Sequence, residues 1–288
     1  MTTTARTSPT TTSPATTSPA TTSPATPVPV PARRGSRRTT GSPVDVPIPM
    51  SRLVRVELRK MADTRSGLWL LLGLAAITLV IVVVYFVTAT QPERTFLHFM
   101  GATLGPQGFL LPVLGILLVT SEWSQRTGLV SFTLVPLRGR VLTAKVLAGL
   151  LAGVGAIVVS VAFAALATVV GGAPDGFAHF GLVELGKFGI LQLTGILQGL
   201  AFGLLFLSSA PAIVSYFVFP TALNIVGSLW KPLQDVQPWI DLWAAQAPLF
   251  TADNLTDQQW AQIGTSNLIW VVLPFVLGLV RVLRAEVK

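Results

Sequence analysis

Between Lys187 and Lys231 the chain runs for 43 residues, 188 to 230, without one charged side chain. A helix needs roughly 20 apolar residues to cross a hydrocarbon core about 30 Å thick, because each residue advances it by about 1.5 Å. The stretch is too long for one crossing and sufficient for two. Ser208-Ser209-Ala210-Pro211 supplies the turn, since proline lacks the donor that a continuing helix would use. Three charge-free windows precede this stretch: Gly67 to Thr90, Phe99 to Ser121, and Val146 to about Val170. A last one, Gln258 to Val280, follows, with its helix expected to start nearer Asn267. The expected fold is an all-α polytopic membrane protein with six transmembrane helices, at about 68–88, 101–121, 146–170, 188–208, 212–230 and 266–281.

Composition agrees: 51% of the 288 residues are hydrophobic and only 11% charged, too little charge to cover a soluble domain. There is no cysteine, which removes disulfides, thiolate metal sites and cysteine nucleophiles. The two histidines, His98 and His179, flank different apolar runs, so no metal site is expected. A net charge of +8 does not imply nucleic acid, because the basic residues cluster beside apolar runs as topology signals do.

With six spans, one side of the membrane carries Arg52, Arg55, Arg59, Lys60, Arg65, Arg126, Arg138, Arg140, Lys145, Arg281, Arg284 and Lys288. The other carries Arg94, Lys187 and Lys231 against Glu93, Asp175, Glu184, Asp235, Asp241, Asp253 and Asp257. Basic residues in short loops stay in the cytoplasm, so both termini are expected there. The spans hold essentially no ionisable residue at depth. Proton relays, ion coupling and intramembrane proteolysis need such groups. Any conformational work must therefore be driven from outside the bilayer.

Residues 1–50 read as a disordered cytoplasmic tail of repeated Thr-Thr-Ser-Pro-Ala units, with too few apolar side chains to offset the entropy of ordering. The basic Arg33-Arg34-Gly35-Ser36-Arg37-Arg38 run is followed by no apolar segment until position 68, which argues against a secretory signal, and Met50 is an alternative start.

The rest, 51–288, is the transmembrane domain. At its entry Val54, Leu58 and Met61 share a helical face, with Arg52, Arg55, Arg59 and Asp63 opposite. This predicts a helix lying in the membrane interface, either a basic anchor or a lever whose Glu57 contacts a partner. Residues 121–145, SEWSQRTGLVSFTLVPLRGRVLTAK, form a polar and basic tract between two apolar runs. It offers Leu129, Val130, Phe132 and Leu134 between polar ends, then Pro136. Either it is an ordinary anchoring loop or it is a helical stub that transmits a push to the spans it joins.

Glycines at 149 and 153, and at 195, 199 and 203, let helices approach closely, with Gln192 and Gln198 able to hydrogen-bond across the contact. Trp230, Trp239, Trp243 and Trp260, interspersed with prolines, suit the headgroup layer and predict interfacial or re-entrant pieces. Gly181 to Lys187 mimics a phosphate-binding loop, but Phe188 stands where Ser or Thr would hold magnesium.

Glu122, Arg126-Thr127-Gly128, Leu134-Val135-Pro136-Leu137-Arg138 and Ala144-Lys145 together resemble the cytoplasmic loop of type-2 ABC exporter permeases. Thr-Gly replaces the more usual Gly-Thr, and Leu137 stands where a small residue is common. The resemblance covers 51–288. It implies an elbow helix at 51–66 with contacts through Glu57, Arg59 and Lys60. It also implies a coupling helix starting near Glu122, with Glu122, Arg126, Thr127, Gly128, Pro136, Arg138 and Lys145 facing a separate ATPase subunit. Two permease chains, a homodimer or a pair, would form the pathway in the cell membrane. ATP and magnesium would sit on the partner, and this chain would carry no cofactor and hydrolyse nothing itself. The alternative expectation is a non-transporting membrane scaffold or sensor accessory.

Overall fold

The computed structural model describes residues 48–124, 138–178, 180–251 and 254–284. The N-terminal tail, Arg126, Thr127, Gly128 and Pro136 lie outside them. Among the described residues all regular structure is helical, and six helices are long and apolar enough to cross a membrane. The chain is a multi-pass membrane protein.

Helix α1, Met50–Asp63, is amphipathic and ends one residue before α2, Arg65–Thr88. Thr64 joins them in extended conformation, and its hydroxyl accepts the Gly67 N–H at 3.2 Å. The corner is so tight that a Cβ on residue 67 would stand 2.1 Å from the Met61 carbonyl oxygen, so only glycine fits. A 3-10 turn at Gln91–Glu93 leads to α3, Phe96–Ser124. Next come α4, Arg138–Gly171, and α5, Leu182–Phe206. Helix α6, Ser209–Leu229, follows a turn at Leu207, whose φ of 55° is left-handed. The chain thus turns before Pro211, which sits in the first turn of α6, where its missing N–H costs no bond.

Four short helices follow: α7 Lys231–Gln234, α8 Gln237–Ile240, α9 Leu242–Gln246 and α10 Pro248–Thr251. Between α8 and α9 stands Asp241, which is fully buried. Its carboxylate accepts from Asn224 Nδ2 at 2.8 Å, Gln237 Nε2 at 3.1 Å and the Trp243 N–H at 2.9 Å. The sixth crossing begins at α11, Asp257–Asn267, and passes through a π-helical turn, Leu268–Val272, into α12, Leu273–Arg284. It starts well before the expected position near Asn267. The cause is Thr256, which forms a reciprocal capping box with Gln259 and fixes the helix start in a polar stretch.

Helices α3 and α5 are the centre of the bundle. Half or more of each apolar window is buried inside the protein, 50% for α3 and 56% for α5, against 17% for α2 and 22% for α6. The outer helices therefore present Trp69, Val80, Val87, Val158 and Val218 to the surroundings, as lipid-facing helices do. At the central contact a Cβ on Gly199 would lie 2.1 Å from the Pro112 carbonyl oxygen, and one on Gly203 would lie 3.1 Å from that of Ile116. Gly195 faces Pro112 at 3.5 Å, while Gly149 and Gly153 receive Leu200 and Leu193 of α5. All five glycines pack within one chain.

Gly199→Ala should push α3 and α5 apart and lower stability by about 1–3 kcal/mol or more, whereas Gly155→Ala, whose Cβ meets nothing within 4 Å, should be near neutral. Thermal unfolding of the two variants in one detergent checks the contrast.

Candidate functional site

The hydrophobic face of α1 settles on the bundle through Met61, buried, and through Val54 and Leu58, partly buried, while Arg52, Arg55 and Arg59 remain exposed. Glu57 lies on the inward face and is only 4% exposed. A carboxylate there needs partners, because an isolated buried charge costs far more than a membrane protein's stability can offset. It finds two. Lys60, one turn on, donates to Glu57 Oε1 at 2.7 Å, and Lys145, at the start of α4, donates to Glu57 Oε2 at 2.7 Å.

Glu122, at the end of α3, closes the figure. Its Oε1 lies 2.7 Å from Lys60 Nζ and 3.1 Å from Lys145 Nζ. The four groups form a closed ring of alternating sign, two carboxylates against two ammonium groups, so the net charge is zero. Lys145 spends its third proton on the Leu118 carbonyl at 3.1 Å. Burial alone would lower the pKa of Lys60, but the hydrogen bonds and charges of Glu122 and Glu57 outweigh it and hold the pKa above the ordinary lysine value.

The ring joins α1 to both helices that flank the 125–137 segment. Arg140 adds a second tie, donating to the Ile48 carbonyl at 2.5 Å just ahead of α1. A displacement of that segment acts at its two ends on helices that already share the ring with α1.

The resemblance implies that Glu57, Lys60, Glu122 and Lys145 face a partner protein. The structure turns Glu57, Glu122 and Lys145 inward and pairs them with one another, leaving Lys60, 41% exposed at its side chain, as the ring's outward member. Arg59 stands apart and makes an exposed pair with Asp63 at 2.9 Å. Such pairs contribute little. Arg138 begins α4.

A second polar cluster escaped the sequence reading. Gln107, buried in α3, donates to Ser160 Oγ of α4 at 2.7 Å and accepts from Gln192 Nε2 of α5. Gln192 thus bonds across a helix contact as expected. Gln107 gave no signal, since a neutral amide inside an apolar run alters neither charge nor periodicity.

Compared with known proteins, the chain matches no family model and no curated relative.

Lys145→Met strips the shared cation from two buried carboxylates and should cost about 3–5 kcal/mol. The double variant Glu57→Gln/Lys145→Met should recover part of that loss, read as coupling in a double-mutant cycle of thermal unfolding. Because the folded pKa of Lys60 is raised, its contribution is complete below the ordinary lysine value near 10.5 and disappears as pH climbs through the raised value. The stability gap between wild type and Lys60→Met should be constant from neutral pH to about 9 and close above about 10.5.

Proposed function

We propose that the chain is the membrane-spanning permease subunit of an ATP-driven transporter of the type-2 ABC class. In this reading it works as a homodimer or paired permease in the cell membrane, with both termini in the cytoplasm and a separate ATPase docked on the 122–145 segment. The observation that carries the reading is the ion-pair ring, which joins α1 to both helices flanking that segment. A coupling loop must move its spans as a unit. The ring supplies the rigidity, because separating any member strands a buried charge.

The source of energy follows from what the spans lack. Ionisable side chains on the long helices lie near helix ends: Glu122, Lys145, Lys187, Arg281 and Arg284 are examples. The buried middle holds amides and hydroxyls, which neither carry nor release protons near neutral pH. Movement must then come from differential binding of an external protein to two states of the bundle. In that scheme α1 is the elbow helix and Lys60 is the ring member open to the ATPase. Export as the direction of transport rests on the loop's resemblance alone.

Affinity purification of the full chain from its native membranes should bring down a nucleotide-binding ATPase, and the isolated chain should hydrolyse no ATP. Arg126→Glu should reduce the partner's chain-stimulated ATP hydrolysis by about ten-fold while thermal unfolding of the chain stays unchanged, as loss of a charged interface contact predicts. A chain that brings down no ATPase, or that turns over ATP alone, sinks the reading.

A further inference from the structure

Where α1 meets the bundle, α2, α3 and α4 leave a groove of about 360 Å³ between them. Leu71 and Ala75 of α2 line it with Leu111 of α3, Ala152 and Gly155 of α4 and, at the α1 end, Leu58 and Met61. No charged side chain takes part, and the two polar residues of the lining, Thr78 and Gln107, are 0% and 1% exposed, so an occupant meets an apolar surface. Water is a poor filling for such a space. From Leu71 to Thr78 the groove runs about 10 Å along α2. A helix about 10 Å across would need roughly 800 Å³ over that length, more than twice the room. A single polymethylene chain is slender enough to enter.

The α1 end of the groove leads to cations. Arg52, Arg55, Leu58 and Met61 follow one another at three-residue spacing, and residues so spaced are neighbours on a helix surface. The row therefore runs from two guanidinium groups to two groove residues. Arg52 and Arg55 are exposed and make no ion pair among the described residues, whereas Arg59 is engaged by Asp63.

We propose that the groove holds one acyl chain of an anionic phospholipid whose phosphate binds Arg52 and Arg55. The apolar lining selects the chain, and the guanidinium pair selects the charge of the headgroup. An amphipathic helix in the membrane interface sets its cations at headgroup level, with the groove beginning on its apolar face. The lipid then packs against Leu58 and Met61, next to the ring member Glu57, and holds α1 on the bundle. Binding requires no ATPase, so this site and the permease reading stand or fall separately.

The test uses the full chain in phosphatidylcholine nanodiscs doped with phosphatidylglycerol that carries a diazirine midway along one acyl chain. Under ultraviolet light the diazirine loses N2 and inserts into neighbouring C–H bonds, and peptide mass spectrometry locates the adducts. The same chain on phosphatidylcholine is the control. Phosphatidylglycerol should label Ala75, Leu111 or Ala152 about ten-fold more than the control does, as two guanidinium contacts to a phosphate predict. Val80 and Val158, on the lipid-facing surface, should label equally from both. Arg52→Gln/Arg55→Gln should erase the difference. Gly155→Leu, whose Cβ meets nothing within 4 Å, fills the groove and should cut groove labelling about ten-fold from either lipid. Phosphatidylglycerol should raise the melting temperature of the wild type and leave that of the double arginine variant unchanged.

Equal groove labelling from the two lipids makes the occupant ordinary bilayer lipid, and a groove that stays unlabelled belongs to a partner helix. Either result, or a headgroup preference that survives the double substitution, overturns the proposal. Arg52→Gln/Arg55→Gln alters only exposed side chains and decides alone should Gly155→Leu fail to fold.

Discussion

Four paired charges at one end of the bundle dictate how that end is assembled. Glu57, Glu122 and Lys145 are each less than a tenth exposed, and their mutual contacts, with those of Lys60 and the Leu118 carbonyl, offset their desolvation. Good geometry at every edge is therefore a condition of folding. It explains why the helices overrun their apolar windows. Helix α3 continues past Ser121 to deliver Glu122, and α4 begins ahead of its apolar run so that Lys145 stands where it can reach both carboxylates and the Leu118 carbonyl. The same ring and the apolar face of Val54, Leu58 and Met61 together fix the rotation of α1.

The middle of the molecule is held differently. Lipid is as apolar as leucine, so helices there gain little from hydrophobic burial and depend on close approach and hydrogen bonds. Gly199 brings the backbones of α3 and α5 together at Pro112, and the amides of Gln107 and Gln192 bond across the same pair of helices. Ser160 extends the contact to α4. At the far end Asp241 ties α8 and α9 to α6 by accepting three hydrogen bonds, which satisfy its carboxylate.

The six crossings were legible because charge is nearly forbidden in hydrocarbon, and its absence over long windows leaves few alternatives. The inward face of α1 was legible from Val54, Leu58 and Met61 for a similar reason. The pairing of its charges was not. An amphipathic reading assigns every charged residue to solvent, and nothing local distinguishes Glu57 from its exposed neighbours, because its buried lysine partner, Lys145, stands 88 positions along the chain. Helix ends were misplaced where polar sequence continues a helix. Asp257 to Gln262 resembles a loop by composition, yet the Thr256 cap commits it to helix. The amide of Gln107 was silent because its importance lies in what surrounds it.

Helix α3 connects these features, carrying Glu122 at one end and Gln107 in its middle. It also contains Pro106 and Pro112. Each proline lacks the N–H that would bond the carbonyl four residues back, on Ala102 and Gly108 respectively. Bending at those points sacrifices no helical hydrogen bond, whereas bending elsewhere in a bilayer would expose a backbone group with no water to receive it. Gly199 and Gly203 of α5 clasp the helix at Pro112 and Ile116, and Gln107, between the two prolines, ties it to α4 and α5, so the broken ladder is compensated by contacts with neighbouring helices.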